Sequence, residues 1–322
     1  MKGLVIRSSR NIFTVLADAD ALSCADATPR VKIECRIKGK ILKEAEGFYN
    51  PLAPGDQVIV EIDPKHSGTG QIIALEKRRN VFSRFNQKGG ASQLLAANAD
   101  MVLCLTTAAS PPFRPRFLDR VLLQADLAGI PPIIILNKSD LGIADLDVEE
   151  RLEDFHHLDY LILRISAKTG AGLDELRELI AGKCSVLTGQ SGVGKSSLIN
   201  ALLPDLRIKE GAINEKYDRG NHTTTMSLMV EIPENSDKPT WLIDTPGIRR
   251  FVPDGISADD LVLNMREFAP LAGTCTYGLS CSHRVEPGCK IMEAVAAGVI
   301  HEDRYNSFLR IHDELSGKNH AG

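Results

Sequence analysis

The chain has 322 residues, a hydrophobic content of 43%, a charged content of 25% and a net charge of −4. These values exclude a wholly disordered chain, and the length predicts two or three domains. The longest apolar runs are too short to span a bilayer, and the first residues are charged too soon for a signal peptide. Four cysteines lie among apolar neighbours, which favours buried thiols in a reducing compartment. We therefore expect a cytoplasmic protein with no membrane partner, in which any nucleic acid is met by a local basic patch.

The N-terminal region, up to about residue 75, is rich in short strand-like segments separated by Gly, Pro, Asp and Asn. Five such segments in this length predict a small β-barrel of the OB type, and a β-domain without a ligand is the alternative. The segments are Leu4 to Ile6, Phe13 to Leu16, Val31 to Ile37, Gln57 to Ile62 and Gln71 to Leu75.

Residues 77–92 are predicted to form a connector rich in Lys, Arg, Gly and Ser. Basic side chains interleaved with aromatic ones can neutralise phosphates and stack on bases, although a solvated linker explains the same charges. The side chains in question are Lys77, Arg78, Arg79, Arg84 and Lys88, around Phe82 and Phe85.

From about residue 99 to 250 apolar strands alternate with helical segments, which predicts a mostly parallel sheet covered on both faces. The strands are expected at Met101 to Thr106, Ile133 to Leu136, Leu161 to Ile165, Ser185 to Thr188, Ser227 to Ile232 and Trp241 to Ile243. Helices are expected at Phe117 to Leu127, Gly172 to Ile180 and Ser196 to Leu203.

A phosphate-binding loop follows one of these strands and opens a helix, the context that its chemistry requires. It reads Gly189-Gln190-Ser191-Gly192-Val193-Gly194-Lys195-Ser196 and fits the pattern G-x-x-x-x-G-K-[ST], with Ser197 next to it. Glycines let backbone N–H groups surround the phosphates, and the helix N-terminus favours negative charge. Lys195 is expected to bridge the β- and γ-phosphates, and the Ser196 hydroxyl to bind Mg²⁺.

The base is predicted to be guanine. Asn137-Lys138-Ser139-Asp140 follows a strand and looks like the N-K-x-D element of GTPases, in which Asp140 accepts hydrogen bonds from guanine N1–H and the exocyclic amine. Adenine offers no such donor pair and would leave the carboxylate unpaired. Asn137 would hold the loop, the Lys138 stem would cover the ring, and Ser166-Ala167-Lys168 resembles the supporting S-A-K element, whose backbone amide meets the guanine carbonyl.

A γ-phosphate sensor is predicted at Asp244-Thr245-Pro246-Gly247, which matches D-x-x-G after a strand. Asp244 would support Mg²⁺ and the Gly247 amide would sense the γ-phosphate. Between the phosphate loop and this element lies the segment from Gly220 to Thr225, in which a threonine hydroxyl would bind Mg²⁺. Thr224 is the first choice and Thr225 the reserve, because residue spacing alone does not show which of the two is the ligand. Ile248 stands where many GTPases have a water-orienting glutamine, so intrinsic hydrolysis should be slow. His222 is a candidate for orienting water, and a purely structural role is the alternative.

The last motif along the chain is a cluster of cysteines and one histidine. Cys275, Cys281, His283 and Cys289 can complete a closed tetrahedral Zn²⁺ site, which would be structural rather than catalytic. A disulfide pair, or unrelated thiols near a surface histidine, are the alternatives.

The order of the motifs is unusual, because the guanine element precedes the phosphate loop, whereas ordinary GTPases have the reverse. Permuted GTPase elements between a barrel and a Cys₃His cluster resemble the ribosome small-subunit-dependent GTPase A family. The segment Gly220-Asn221-His222-Thr223-Thr224-Thr225 resembles its G-x-H-T-T-T, and Asp244 to Arg249 resembles its D-T-P-G-[IF]-R. Ala97-Asn98-Ala99-Asp100 is similar to its A-N-x-D. One departure is the gap of five residues between Cys275 and Cys281, where four is common.

This resemblance implies a circularly permuted α/β P-loop GTPase core, an N-terminal OB-like β-barrel and a C-terminal zinc-binding, mostly helical module. The corresponding domains are residues 1–78, 79–265 and 266–322. It implies a factor that binds the 30S ribosomal subunit and its 16S rRNA, uses GTP and Mg²⁺, and helps to release another assembly factor. The residues alone support a GTP-binding switch, and a monomer is the default.

Two other functions compete with this interpretation. The first is a GTP-gated RNA-binding module in which hydrolysis is incidental. The second is an ATP-using small-molecule kinase, which Asp140 disfavours.

Overall fold

The computed structural model describes residues 1–9, 11–18, 30–39, 47–66, 68–203, 227–233, 236–248 and 250–317. Its strands are β1 Lys2–Ser9, β2 Ile12–Asp18, β3 Arg30–Ile37, β4 Gln57–Ile62, β5 Thr69–Leu75, β6 Val81–Asn86, β7 Ala91–Ala97, β8 Met101–Thr107, β9 Pro132–Asn137, β10 Leu161–Arg164, β11 Cys184–Gly189, β12 Leu228–Ile232 and β13 Thr240–Asp244.

The α-helices within these residues are α1 Pro115–Leu127, α2 Leu146–His157, α3 Leu173–Ile180, α4 Lys195–Leu202, α5 Leu261–Asn264, α6 Lys290–Ala296 and α7 Glu302–Leu315. Short 3-10 helices lie at Ser139–Leu141, Ala269–Leu271 and Gly278–Ser280. In this part of the chain, no helix combines the length and the apolar character needed to cross a membrane.

The N-terminal strands form a closed five-stranded barrel. They pair in the order β1-β2-β3-β5-β4, and β4 returns to pair with β1. Alternation explains this: along β3 the side chains of Ile33 and Cys35 point inward and are buried, while their neighbours are exposed. The β3–β5 pair is parallel and the others are antiparallel. The predicted five-stranded barrel is confirmed; β4 has its predicted bounds, and the other strands extend beyond theirs by up to three residues.

The central sheet runs β10-β9-β8-β11-β13-β12, and its first five strands are parallel. Strand β12 is antiparallel to β13 and adjoins the barrel through the pair Arg7 and Leu228. Strands β8 and β9 are buried along their whole length, as expected for strands covered on both faces. Separate apolar cores lie on the two faces of the sheet, one against α1 and the other against α3 and α4. The predicted α/β architecture is confirmed.

The segment from residue 77 to 92 is not a connector without regular structure, so that prediction is wrong. It forms most of a hairpin, in which β6 pairs antiparallel with β7. Phe82 is fully buried and packs 5.8 Å from the Phe251 ring. Arg78 forms a buried ion pair with Asp56, at 2.7 Å. A run of basic residues resembles a linker in sequence. Here two of the arginines pair with carboxylates elsewhere in the chain, and Phe82 packs into the apolar core.

The C-terminal helices pack on α1 of the central domain. Phe268 and Phe308 stack with ring centroids 4.9 Å apart, in a core that also includes the cluster cysteines. The Arg304 side chain on α7 is only 3% exposed, and it donates hydrogen bonds to Asp119 of α1 and to Glu267. Buried charges of this kind are tolerated because each has an opposite charge as its partner.

Candidate functional site

Three of the predicted motifs meet at one edge of the central sheet. Strand β9 ends at Asn137, β11 at Gly189 and β13 at Asp244. These strands are parallel, so their carboxyl ends lie on the same side of the sheet, where α/β proteins bind ligands. Chain order does not matter for this convergence, because each motif is placed by the strand that precedes it.

The phosphate loop turns sharply between β11 and α4. Gly192 and Gly194 have φ angles of 85° and 98°. Glycine is favoured at such positive angles because it has no Cβ to clash with the backbone. A Cβ at Gly194 would also lie 2.4 Å from Asn137 Nδ2, so a side chain cannot be accommodated there. Helix α4 begins directly after the loop, at Lys195. Backbone N–H groups at the start of a helix are an established arrangement for binding phosphates.

Lys195 lies inside the loop. Its ammonium group donates hydrogen bonds to the carbonyl oxygens of Gly189, at 2.8 Å, and Gln190, at 3.3 Å. Burial lowers the pKa of Lys195, while the nearby Asp244 carboxylate acts in the opposite direction. A Cβ built on Gly247 would lie 3.6 Å from Lys195 Nζ. The D-x-x-G segment therefore lies directly against the phosphate loop.

Asp244 fits a magnesium-supporting role. Its Oδ1 atom is buried and has no hydrogen-bond partner among the described residues. Burial raises the pKa of Asp244 to about 7, and the Lys195 charge opposes this shift. The next residue, Thr245, is anchored by its hydroxyl to the Leu187 carbonyl oxygen, at 2.9 Å. A divalent cation and its water ligands would supply the charge and the donors that this buried oxygen lacks.

Asn137 joins the guanine element to the other motifs. Its Nδ2 atom donates to the Val193 carbonyl oxygen, at 2.9 Å, in the phosphate loop. Its Oδ1 atom accepts from the Ala167 backbone N–H, at 3.0 Å. Lys138 has a left-handed φ of 63°, and its ammonium group reaches the Ser110 and Gly192 carbonyl oxygens. The side chain at the start of N-K-S-D thus holds the phosphate loop and the S-A-K segment together.

Asp140 is exposed at the rim and is oriented by a buried serine. The Ser166 hydroxyl donates to Asp140 Oδ1 at 2.6 Å. The Ala167 amide is already bonded to Asn137, whereas the Lys168 amide donates to none of the described residues. Of these two amides, Lys168 N–H is therefore the one available to a carbonyl on a base. The sequence named the S-A-K segment without separating its amides, because that requires knowing where Asn137 Oδ1 points.

Other predicted site residues divide into two groups. Ser191, Ser196 and Ser197 lie in the described loop and first turn of α4. His222 and Thr223 to Thr225, including Thr224, lie outside the described residues. Ile248 is 2% exposed and belongs to the apolar core on the α1 face. A side chain buried there does not reach a water molecule at the phosphates.

The segment after Gly247 makes contacts that the sequence did not indicate. Asp254 accepts hydrogen bonds from the Ser83 and Ser92 hydroxyls on the β6–β7 hairpin, at 2.6 and 2.7 Å. Glu314 on α7 pairs with Arg250, at 2.6 Å, and with Arg120, at 2.5 Å. These partners are 64 to 194 residues apart in the chain, so no local pattern could have revealed them.

The predicted zinc ligands come together. Cys275, Cys281, His283 and Cys289 are all buried, and their ligand atoms lie within 4.8 Å of one another. Cys275 and Cys289 Sγ are 3.9 Å apart, and His283 Nδ1 lies 3.6 and 3.5 Å from them. Tetrahedral Zn²⁺ with ordinary bond lengths places two sulfurs about 3.8 Å apart and sulfur and nitrogen about 3.5 Å apart. The cluster therefore has the donors and spacing of a zinc site.

Groups around the cluster fix its geometry. The Lys290 and Met292 backbone N–H groups donate to the sulfurs of Cys275 and Cys289, which stabilises thiolate charge. His283 has a left-handed φ of 57°, and its carbonyl oxygen accepts from the Tyr305 hydroxyl at 2.6 Å. The residue spacing of the cluster, with one residue more than is common in its first gap, is compatible with this arrangement.

Together the fold and the site define a P-loop GTPase whose motifs occur in circularly permuted order. The model of the family described as RsgA GTPase matches residues 75–252. The small ribosomal subunit biogenesis GTPase RsgA of Chlorobaculum parvum is 39% identical over 293 residues, which cover 88% of this chain and 91% of that protein. RsgA 2 of Bacteroides thetaiotaomicron is 35% identical, over 100% of this chain and 99% of its own length. The chain belongs to the RsgA GTPase family.

Solved structures agree with this assignment. The crystal structure of YjeQ from Thermotoga maritima has a TM-score of 0.68 and 28% sequence identity, and the match covers 98% of each chain. The crystal structure of YloQ, described as a circularly permuted GTPase, has a TM-score of 0.64 over 99% of this chain and 96% of its own. At 23% identity, the likeness to YloQ shows the shared fold. This chain is therefore a GTPase built on the permuted fold.

Proposed function

We propose that the chain hydrolyses GTP as an assembly factor of the small ribosomal subunit and couples hydrolysis to its own release or that of another factor. The observation that carries the proposal is the convergence of Asn137, Val193 and Ala167, which joins the guanine element to the phosphate loop. Relatives similar over 88% and 100% of the chain are named for small-subunit biogenesis, and this supports the choice of partner. A ribosomal partner in turn supports a cytoplasmic location, and a monomer is the default.

At the nucleotide, each motif would have one role. Asp140, fixed by Ser166, would accept from the guanine edge, and Lys168 N–H would donate to the guanine carbonyl. Lys195 would exchange its bonds to loop carbonyls for bonds to the β- and γ-phosphates. The Gly247 N–H would meet the γ-phosphate. The remaining predicted phosphate-binding groups are the loop backbone from Gly189 to Gly194 and the hydroxyl groups of Ser196 and Ser197.

Magnesium would be held by Ser196 and Thr224, with Asp244 acting through water. When bound, the cation supplies charge that stabilises the transferred phosphoryl group. The buried Asp244 oxygen without a donor supports this assignment. His222 would orient the attacking water, since Ile248 is buried in the core. Slow intrinsic hydrolysis is expected, so the partner would supply the acceleration.

The domains 1–78, 79–265 and 266–322 would divide these tasks. The barrel and the C-terminal module would contact 16S rRNA, and one structural Zn²⁺ on Cys275, Cys281, His283 and Cys289 would hold the module together. In the hairpin region, Lys77 and Lys88 are exposed and remain candidates for RNA contact.

The GTPase rate with and without purified 30S subunits tests the proposal. We expect a slow basal rate and stimulation by the subunits, while 50S subunits serve as a matched control. An equal response to both subunits would contradict the assigned partner. A Thr224→Ala protein that binds GTP, does not hydrolyse it and still dissociates from the 30S subunit at the wild-type rate would favour the alternative, a GTP-gated RNA-binding module in which hydrolysis is incidental.

A further inference from the structure

A cleft of about 480 Å³ opens beside the phosphate loop. Four arginines line it: Arg114, Arg116, Arg120 and Arg250. Gln190 of the phosphate loop and three phenylalanine side chains complete most of its wall. We call it the arginine cleft. Its concentration of positive charge contrasts with a chain whose net charge is −4.

The charge of the cleft is only partly neutralised. Arg116 pairs with Asp303 at 2.9 Å, and Arg120 and Arg250 share the Glu314 carboxylate. The Arg114 side chain makes no hydrogen bond or ion pair with the residues that the structure describes. Two carboxylates therefore face four guanidinium groups. The balance favours an anionic ligand.

The arginines at the rim can be reached by such a ligand. The side chains of Arg116 and Arg250 are 45% and 61% exposed, and Arg114 is exposed as well. Arg116 and Asp303 form a solvent-accessible ion pair, and such pairs contribute about 0–1 kcal/mol, so a phosphate can replace the Asp303 carboxylate at little cost. Guanidinium groups bind phosphates through paired, planar hydrogen bonds. Phe113 is half-buried at the same cleft and offers a ring on which a base can stack.

We infer that the arginine cleft binds the sugar–phosphate backbone of a single-stranded RNA segment of the small ribosomal subunit. This inference rests on the proposed function, and it names a site through which RNA would influence hydrolysis. Arginines interleaved with aromatic rings suit single-stranded nucleic acid, because phosphate pairing and base stacking occur together. An acidic protein segment would use the charges without the rings.

The cleft is connected to the hydrolysis site on two sides. Gln190 belongs to the loop, and its carbonyl oxygen accepts from Lys195. Arg250 lies three residues after Gly247, and the next residue, Phe251, packs edge-on against Phe117 with ring centroids 6.4 Å apart. An RNA phosphate bound between Arg114 and Arg250 would therefore act on the segment that leads from the γ-phosphate sensor. Occupancy of the cleft would then change the hydrolysis rate.

The test compares the full-length protein with Arg114→Glu and Arg114→Ala variants. Lys238→Glu is the matched control, since it makes the same charge change at an exposed residue near the amino end of β13, the opposite edge of the sheet. Binding of a fluorescein-labelled oligouridylate of twelve nucleotides is measured across a KCl series. A second oligouridylate that carries 4-thiouridine is photocrosslinked, and the attached peptide is identified by mass spectrometry. The stimulation ratio, with and without 30S subunits, is measured for each variant.

For Arg114→Glu we expect oligouridylate binding weaker on the order of tenfold, and a salt slope reduced by about one. Arg114→Ala should show a smaller loss, and Lys238→Glu no loss. Crosslinks should include the peptide that contains Phe113, and the stimulation ratio of Arg114→Glu should fall. Unfolding midpoints equal to wild type would show that the variants fold.

Three outcomes would overturn the inference. They are equal RNA binding by Arg114→Glu and Lys238→Glu, crosslinks confined to the barrel, or polyglutamate competing as well as oligouridylate. If Arg114→Glu loses RNA binding but 30S subunits do not stimulate even wild type, the cleft stands and the proposed function fails. If the subunits stimulate wild type and Arg114→Glu equally, the proposed function stands and the regulatory role of the cleft is contradicted.

Discussion

Asn137 and Val193 are joined by a hydrogen bond of 2.9 Å, from the Asn137 amide to the Val193 carbonyl oxygen. The two residues are 56 positions apart and belong to different motifs. Asn137 is 2% exposed, so the bond is shielded from water and sets the distance between guanine element and phosphate loop. A permuted chain can therefore build an ordinary nucleotide site, because single side chains connect the ends of neighbouring strands.

Replacing Asn137 with alanine should weaken both folding and nucleotide binding. The change removes one buried and one partly buried hydrogen bond and leaves the Val193 carbonyl and the Ala167 N–H without their partner. A loss of about 1–3 kcal/mol in unfolding free energy is expected. Urea unfolding and GDP calorimetry check it. Asn264→Ala, which loses one exposed bond in α5, is the control, and equal effects of both variants would contradict the role of Asn137.

Asp244→Asn should make the magnesium-free protein more stable and the enzyme inactive. Burial raises the pKa of Asp244 to about 7 from an ordinary value near 3.8, so the folded state binds a proton that the unfolded state releases. Stability is therefore lost as pH rises from about 4 to about 7, and the asparagine variant avoids this loss. Its gain in unfolding midpoint over wild type, both in EDTA, should be larger at pH 8 than at pH 5.

The same variant should lose activity although it gains stability. Cation stabilisation of the transferred group is worth several kcal/mol, so turnover with GTP and Mg²⁺ should drop on the order of a hundredfold or more. The wild-type protein in EDTA gives the reference for magnesium-free hydrolysis. A fully active Asp244→Asn protein, or a stability gain that is the same at both pH values, would contradict this account of the site.

The sequence alone predicted most of the fold. It succeeded where a single local pattern of apolar residues determines the secondary structure. The barrel strands and the parallel strands were predicted because buried alternation and continuous apolar runs are visible over a few residues. Helix α2, Leu146–His157, was missed because only Val148, Leu152 and Phe155 among its apolar residues are buried, within a strongly charged segment. The β6–β7 hairpin was missed because the basic residues around it suggested a linker, whereas Arg78 and Arg79, just before β6, pair with Asp56 and Asp100, 22 and 21 residues away in the chain.

The candidate site shows the same division. Motif spacing named the phosphate loop, N-K-S-D, D-T-P-G and the metal cluster, since each is a contiguous pattern tied to a strand or a turn. Spacing did not show that Ala167 N–H is already bonded and Lys168 N–H is not. The two amides are adjacent in sequence, and only the position of Asn137 Oδ1 in the fold distinguishes them. Nor did it show that Glu314 holds Arg250, which depends on the docking of α7.

Cys281→Ser should remove bound metal and loosen the C-terminal module. The cluster offers four ligands, and loss of one opens a site whose other groups are buried in the core around Phe308. We expect about one zinc per chain in wild type and a lower unfolding midpoint in the variant. Inductively coupled plasma mass spectrometry measures the metal. Cys184→Ser, at a half-buried thiol of β11, should retain zinc; loss in both variants, or in neither, would contradict the ligand assignment.

Arg304→Ala should separate the C-terminal helices from α1. The arginine is buried, and its removal leaves the carboxylates of Asp119 and Glu267 without a positive partner. Breaking a buried pair in this way costs about 3–5 kcal/mol. Urea unfolding followed by circular dichroism measures the loss. Arg310→Ala, an exposed arginine on the same helix, should change little, and comparable losses from the two variants would contradict the proposed interface.

The most direct test of the whole account is the choice of base. Calorimetry in Mg²⁺ should show GDP bound at least about a hundredfold more tightly than ADP by wild type, because only guanine offers Asp140 the pair of donors formed by N1–H and the exocyclic amine. Asp140→Asn should lose that preference, whereas Asp174→Asn, the same change at an exposed residue of α3, should keep it. Equal affinity of wild type for GDP and ADP, or a preference that survives in Asp140→Asn, would contradict the account.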